Sequence, residues 1–168
     1  MRSNFVCRVL DPALVFALAG ALSMVAAASG SGGNPSSPNW EEAGDEAVRN
    51  LAGMIKIDTS NPPGNETKVA EYIKAILDKE GIESEILELA AGRGNLVARL
   101  RGNGTKRPLL LMGHTDVVGV ERDKWSVDPF GAVIRDGYLY GRGSLDNKDN
   151  VAVYLEVFLL LSRLGVTL

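Results

Sequence analysis

The sequence predicts an α/β fold, because segments with helical apolar spacing alternate with short strand-like segments. Two amphipathic helical patterns come first, and strand patterns bounded by turn residues follow them. The last pattern, residues 150–164, is a helix that is apolar on nearly every side. Such a helix has to be covered by other parts of the protein on most of its surface.

The N-terminal 28 residues are predicted to be a cleaved signal peptide. Arg2 and Arg8 precede a run of apolar or small residues, 13–28, that ends in three alanines, as signal peptidases require. A stable membrane span needs about 20 apolar residues, more than this run offers, so a cleaved signal is favoured and an N-terminal membrane anchor is the alternative. We therefore expect an exported protein with no stable span after cleavage. Residues 29–39 are rich in Gly, Ser and Pro and are predicted to be a flexible linker.

Two amphipathic helices are predicted next. Residues 41–57 begin with acidic side chains, which suit the helix dipole, and residues 66–80 precede Gly81, a typical C-terminal cap. The Pro-Pro-Gly stretch at 62–64 separates them, because proline does not continue a helix. The side chains expected on the buried faces are Val48, Leu51, Met54, Ile55, Val69, Ile73, Ile76 and Leu77.

Strands are predicted at residues 82–89, 96–101 and 109–112. The third, Leu-Leu-Leu-Met, has no polar alternation, which is typical of a strand buried on both faces. A hairpin is expected around Asp136-Gly137, a dipeptide that favours tight two-residue turns.

Composition excludes several classes of protein. The chain has 18 Lys and Arg against 21 Asp and Glu, a net charge of −3, and shows no basic patch for nucleic acid. One cysteine excludes an internal disulfide framework and a cysteine-rich zinc module. His114 is the only histidine, so this chain alone does not complete a site that needs two imidazoles.

The first candidate for chemistry is His114 with Asp116, directly after the predicted strand 109–112. In an extended backbone these two side chains point to the same side, and functional groups gather at strand ends in open α/β sheets. A carboxylate that holds the second nitrogen of an imidazole is common at metal sites. The alternative is a structural histidine held by hydrogen bonds.

The second candidate is residues 141–148, where two glycines precede Asp146 near a helix start. A carboxylate has two oxygens, so Asp146 beside His114 is a candidate to seat two metal ions. One alternative is a phosphate-cradling loop that uses Lys148, although the segment fits neither common phosphate-loop pattern. A plain glycine turn with a capping Asp is the other. We interpret Arg142 and Lys148 as structural residues that pair with nearby carboxylates, with substrate contact as the alternative.

The segment between these two candidates contains Trp125 and Phe130 around an Asp-Pro pair. Aromatic side chains in such a loop either form a pocket wall or lid, or anchor a long connection to the core. Both readings stay open from the sequence.

The order and spacing of these segments closely resemble the M20 family of zinc-dependent exopeptidases and deacylases. The resemblance is carried by residues 112–118, 125–130 and 136–148, and by the upstream stretch 58–64, Asp-Thr-Ser-Asn-Pro-Pro-Gly. It implies a three-layer α/β/α catalytic domain with a mixed, largely parallel sheet. Residues 40–168 would form its N-terminal part.

The resemblance also implies roles for individual residues. His114 matches a zinc ligand, Asp116 matches the catalytic acidic residue that orients it, and Asp146 matches the carboxylate that bridges two zinc ions. The Asp146–Asn147 peptide bond matches one that is cis in the family. The implied cofactor is a pair of Zn²⁺ ions, with Co²⁺ as a substitute. The implied substrate is a peptide or N-acyl amino acid cleaved next to a free carboxylate.

Other parts that the family needs have no counterpart in the sequence. These are the general-base glutamate of a Glu-Glu pair, the later metal ligands and a dimerisation domain, through which the full-length form would be a homodimer. Glu156 lies among apolar residues of a helix, the wrong context for that base. We therefore expect an incomplete and inactive hydrolase chain. The alternative is a non-catalytic exported module that binds metal or a partner.

Overall fold

The computed structural model describes residues 6–8 and 37–168. Residues 6–8 belong to the predicted signal peptide and form a short strand. The rest of that prediction, and most of the predicted linker at 29–39, lie outside the described residues and stay predictions.

Three helices and five strands make up the described part of the chain, together with one 3₁₀ turn at Arg122–Lys124. The helices are α1 (Trp40–Ile55), α2 (Glu66–Lys79) and α3 (Lys148–Arg163). The strands are β1 (Val6–Arg8), β2 (Ser84–Glu88), β3 (Gly94–Ala98), β4 (Val133–Arg135) and β5 (Tyr138–Tyr140). The predicted α/β class is confirmed.

The strands form two small antiparallel sheets. β2 pairs with β3, and the second sheet has the order β1-β5-β4, with β4 and β5 joined by the predicted turn at Asp136-Gly137. A parallel bridge joins Ser60 to Val117. The largely parallel sheet implied by the family resemblance stays an expectation for this chain.

The prediction of a buried strand at residues 109–112 is wrong. This segment forms no ladder with any described strand, and Leu109, Leu110 and Met112 are 85%, 75% and 75% exposed. Apolar side chains favour burial, but a strand also needs neighbouring backbone segments that form hydrogen bonds with its N–H and C=O groups. Among the described residues no segment supplies that pairing, so the run lies open to solvent.

The helix predictions hold to within about two residues, because the end signals are local. The Asn39 side chain caps α1 by accepting a hydrogen bond from the Glu42 backbone N–H at 3.4 Å. Gly81 follows α2 with a φ of +67°, where a glycine is favoured, and the Ile82 N–H donates to the Leu77 carbonyl at 2.9 Å. Val48 and Ile76 are half-buried rather than buried.

The core lies where α1, α2 and α3 meet β3 and β5. Its main buried side chains are Leu51, Met54, Ile55, Val69, Ile73, Leu77, Ile82, Leu139, Ala152, Leu155 and Leu159. α3 is only partly covered: no residue from 151 to 162 is exposed, but most of them are half-buried. Packing of this apolar surface is the main source of stability available to the fold.

Arg163, in the last turn of α3, ties three elements together. Its guanidinium lies 2.6 Å from a carboxylate oxygen of Glu46 on α1 and 2.6 Å from one of Glu80, which follows α2. A planar guanidinium suits such two-carboxylate contacts. Arg163 therefore fixes the end of α3 against the other two helices.

Among residues 6–8 and 37–168, no helix is both long and apolar enough to cross a membrane.

Candidate metal centre

The segment that carries His114 and Asp116 is held along its backbone by residues 59–61. The buried Thr59 hydroxyl donates to the Thr115 carbonyl at 2.5 Å, and the Val117 N–H donates to the Thr59 carbonyl at 3.1 Å. The Asn61 N–H donates to the Val117 carbonyl at 2.9 Å. These bonds fix the backbone from which both candidate side chains project.

The candidate Asp146 is delivered by the glycine-containing loop that starts α3. Gly143 has a φ of +86°, and a Cβ there would lie 2.8 Å from the Val117 side chain, so only glycine fits without strain. Asn147 occupies the N-cap position of α3 without a side-chain capping bond, and its side-chain oxygen accepts a hydrogen bond from the His114 N–H at 3.3 Å. The Asp146–Asn147 bond is cis, as the family resemblance implies.

The three predicted site residues come together in one continuous contact. His114 Nδ1 lies 3.0 Å from Asp116 Oδ1, and His114 Nε2 lies 3.0 Å from Asp146 Oδ1. The Asp116 carbonyl also lies 3.2 Å from His114 Nδ1. The imidazole is therefore oriented by Asp116 on one side and faces Asp146 on the other.

The charges around the ring shift two pKa values in opposite directions. Burial lowers the pKa of His114, but hydrogen bonds to the Asp116 carbonyl and to the carboxylates of Asp146 and Asp116 outweigh it, so the net pKa is raised. Burial raises the pKa of Asp116, but hydrogen bonds from Asn61 and His114 and the charges of His114 and Arg93 lower it overall. The arrangement favours a negative Asp116.

The donor set fits a divalent zinc-like cation. His114 Nε2 and Asp146 Oδ1 lie close enough to bind the same ion, and nitrogen and carboxylate oxygen are both common zinc ligands. Asp146 is accessible, with 82% of its side chain exposed, so its second oxygen can take another ion. Within the described part of the chain, no group of three or more His, Cys, Asp or Glu side chains forms a complete metal site.

Comparison with known proteins finds a family that matches the segment carrying this arrangement. The model of peptidase family M20/M25/M40 matches residues 110–168, which include all three candidate site residues. The matched part of this chain is similar to the M20 family. M20 proteins are hydrolases, and their enzymes are generally metal-dependent.

Two curated relatives are similar to this chain. A probable succinyl-diaminopimelate desuccinylase from Staphylococcus aureus strain Mu50 is 42% identical over 105 residues, which is 61% of this chain and 25% of the relative. Succinyl-diaminopimelate desuccinylase 2 from Ruegeria sp. strain TM1040 is 38% identical over 120 residues, 71% of this chain and 29% of the relative. The chain thus spans about a quarter of the length of the curated relatives it matches.

A solved M20 structure shares the fold. The crystal structure of an M20 family metallo-carboxypeptidase from Sulfolobus solfataricus superposes with a TM-score of 0.64 at 27% identity. The match covers 72% of this chain and 28% of the other.

Lys148 has a structural place in this chain, but its partners differ from those predicted. Its ammonium is fully buried and donates to the backbone carbonyls of Met54 at 3.0 Å and Ile57 at 2.9 Å, rather than to carboxylates. An ammonium buried in this way does not reach a phosphate in the loop. The phosphate-cradling alternative for residues 141–148 is therefore wrong.

The loop between the two site segments is anchored at one end. Phe130 and Pro129 are buried, and the Arg142 N–H donates to the Pro129 carbonyl at 2.7 Å. Trp125 is half-buried, with the Arg142 guanidinium 5.3 Å from its ring centroid. For Phe130 these contacts favour the anchoring role over a pocket wall.

Sequence reasoning missed one residue that contacts the site. Asn61 donates from Nδ2 to Asp116 Oδ2 at 3.2 Å, yet the sequence only marked its segment as a helix stop and part of the family pattern. The available signal was a polar amide inside a motif, at 58–64, to which no function had been given.

Proposed function

We propose that this M20 chain supplies part of the metal site of a zinc-dependent hydrolase that cleaves amide or peptide bonds next to a free carboxylate. His114 and Asp146 would hold zinc, and Asp116 is the acidic residue that orients His114. The observation that supports this proposal is the continuous contact from Asp116 through the imidazole to Asp146, with 3.0 Å at each step.

The described residues suggest how this part of the site works. When bound, zinc lowers the pKa of a water molecule and polarises a carbonyl group. Asp116 holds Nδ1 of His114, which leaves Nε2 to face the ion, and it raises the basicity of the ring. Asp146 offers two oxygens, which suits a carboxylate shared between two ions. An α-helix rises 1.5 Å per residue, so Glu156 lies about 12 Å along α3 from Lys148. It is also buried between helices. Both observations argue against Glu156 as the general base of the reaction.

The substrate class rests on the relatives. The S. aureus and Ruegeria proteins carry the name desuccinylase, and the Sulfolobus protein is a metallo-carboxypeptidase. We propose the shared chemistry for this chain, which is hydrolysis of a peptide or N-acyl amino acid. Two Zn²⁺ ions, with Co²⁺ as a substitute, and a homodimeric full-length form belong to the same proposal.

The proposed location is outside the cytoplasm. It rests on the apolar run at 13–28 and its three terminal alanines, with residues 29–39 as the linker to the catalytic part that starts at residue 40. N-terminal sequencing of the exported protein tests it, with a new N-terminus at Ser29 expected. An N-terminus at Met1 in a membrane fraction would indicate the anchored alternative.

Zinc binding is expected to depend on His114 and Asp116. By isothermal titration calorimetry, the wild-type chain should bind Zn²⁺ and His114→Ala should lose measurable binding. Asp116→Ala should weaken binding by about 10- to 100-fold, because it removes only the group that orients the ligand. Asp123→Asn, a substitution at an exposed carboxylate in the 3₁₀ turn, is the matched control and should bind like wild type. Equal binding by His114→Ala and wild type would contradict the proposal.

The second candidate function is a non-catalytic metal-binding or interaction module. It stays a candidate because residues 37–168 contain no cluster of three or more potential ligands, so the described residues do not complete a catalytic metal site. Translating the gene beyond Leu168 discriminates between the two candidates. An in-frame Glu-Glu pair and a later histidine would support the hydrolase, whereas a stop codon would support the module.

The chain alone is expected to be inactive with added zinc, because no described residue fills the place of the general base. The assay uses an N-succinyl amino acid and a dipeptide and monitors amine release. Turnover that disappears in His114→Ala would refute this expectation of inactivity.

A further inference from the structure

We propose that Asn61 is a positioning residue that fixes the Asp116 carboxylate and, through it, the His114 ring. Arg93 in turn fixes Asn61 through a hydrogen bond to its side-chain oxygen. This inference deepens the proposed function, since it concerns the same site. It gives a role to the motif at 58–64, which carries part of the family resemblance but had no function.

The two ends of the Asn61 amide have opposite partners. Nδ2 donates to Asp116 Oδ2 at 3.2 Å, and Oδ1 accepts from Arg93 Nη1 at 3.2 Å. A carboxylate only accepts and a guanidinium only donates, so a flipped amide would lose both hydrogen bonds. The Asn61 side chain is therefore locked in one orientation by its neighbours.

Asp116 is in turn held at both of its oxygens. Oδ1 lies 3.0 Å from His114 Nδ1, and Oδ2 accepts from Asn61. Without the second contact, the carboxylate can rotate away from the ring, because 34% of the Asp116 side chain is exposed and open to water. Asn61 thus limits rotation of the group that orients the imidazole.

Arg93 anchors this series of contacts to the body of the protein. Its Nε lies 2.7 Å from Glu66 Oε2, and Glu66 is buried at the first residue of α2. The ion pair uses Nε, so Nη1 can donate to the Asn61 side-chain oxygen. That hydrogen bond also polarises the amide and strengthens its Nδ2 as a donor. Four consecutive contacts therefore connect α2 to His114.

The backbone of Asn61 is fixed independently of its side chain. Its N–H donates to the Val117 carbonyl, and Ser60 pairs with Val117 in the parallel bridge. A substitution that truncates only the Asn61 side chain should therefore leave the segment in place. This separation makes the inference testable without loss of the fold.

The test is the solvent exchange rate of the His114 Nδ1 proton, measured by ¹⁵N NMR on the metal-free full chain. His114 is the only histidine, so its ring signals need no assignment by mutation. In Asn61→Ala the rate should rise by about tenfold, the lower end of the effect of losing one hydrogen bond to a charged group. Asn65→Ala is the matched control: its side chain donates to the Asp58 carbonyl and not to Asp116, so the rate should stay at the wild-type value.

A second variant tests the path of contacts from Arg93 through Asn61 to Asp116, and it can still be measured if the first variant does not fold. Arg93→Met should raise the rate less than Asn61→Ala, and it should add nothing when combined with Asn61→Ala, because both act through one amide. If Asn61→Ala does not fold, Arg93→Met alone decides. An unchanged rate in the folded variants, additive effects, or a wild-type proton that exchanges too fast to observe would each overturn the inference. Because no metal is present, a failure of zinc binding would overturn the proposed function and leave this result standing.

Discussion

Replacing Lys148 with alanine is expected to destabilise the fold by about 2 to 4 kcal/mol. Burial lowers the pKa of this lysine to about 8, so holding it charged in the core at neutral pH costs about 3 kcal/mol. Two hydrogen bonds from a charged donor, at about 1.5 to 3 kcal/mol each, offset that cost. Alanine removes both bonds and leaves a cavity, and the Ile57 carbonyl loses its ammonium partner.

Two further variants separate the causes. Lys148→Met keeps most of the volume without the donors, so it should destabilise less than alanine. Lys74→Ala removes a lysine from an exposed pair with Asp78 and should change stability by less than about 0.5 kcal/mol. Urea denaturation at pH 7 measures all three. A Lys148→Ala chain as stable as Lys74→Ala would show that the buried ammonium does not hold the start of α3 against α1.

Replacing Glu156 with glutamine is expected to stabilise the protein at high pH and not at low pH. Glu156 is 6% exposed, and neither of its carboxylate oxygens has a hydrogen-bond partner among the described residues. Burial, with a smaller contribution from Glu46, raises its pKa to about 7 from 4.5, against the lowering effects of Arg163 and Arg49. The folded state therefore keeps a proton between about pH 4.5 and 7 that the unfolded state has lost.

The sign of the pH dependence follows from that difference in protonation. Wild-type stability should fall by about 3 kcal/mol as the pH rises through this window, and Glu156→Gln should not show this fall. The two proteins should differ little at pH 4 and by about 3 kcal/mol at pH 8. Glu71→Gln, at an exposed position of α2, is the control and should follow wild type. A constant difference between Glu156→Gln and wild type across this range would contradict the account.

Local signals in the sequence predicted the elements well. The ends of α1 and α2 depend on caps and prolines within a few residues, and the β4–β5 turn depends on one dipeptide, so neighbouring residues suffice to predict them. His114 and Asp116 were also predictable as a pair, because they are two residues apart on one extended segment.

Contacts between distant residues could not be predicted in the same way. Lys148 reaches carbonyls 94 and 91 residues away, and Asn61 reaches Asp116 across 55 residues. Nothing in the local pattern distinguishes a buried ammonium that binds carbonyls from one that pairs with a carboxylate. The segment 109–112 shows a related limit of sequence-based prediction. Its apolar composition indicates burial, but it does not identify which backbone segment would pair with it.

The most direct test of the central claim is the ¹⁵N spectrum of the His114 ring as Zn²⁺ is added to the chain. If His114 and Asp146 hold the ion while Asp116 orients the ring, the Nε2 signal should shift and Nδ1 should keep its proton. The Asp146→Asn variant should need more zinc for the same shift. A ring spectrum unchanged by zinc, or a shift confined to Nδ1, would contradict the assignment of His114 as a metal ligand.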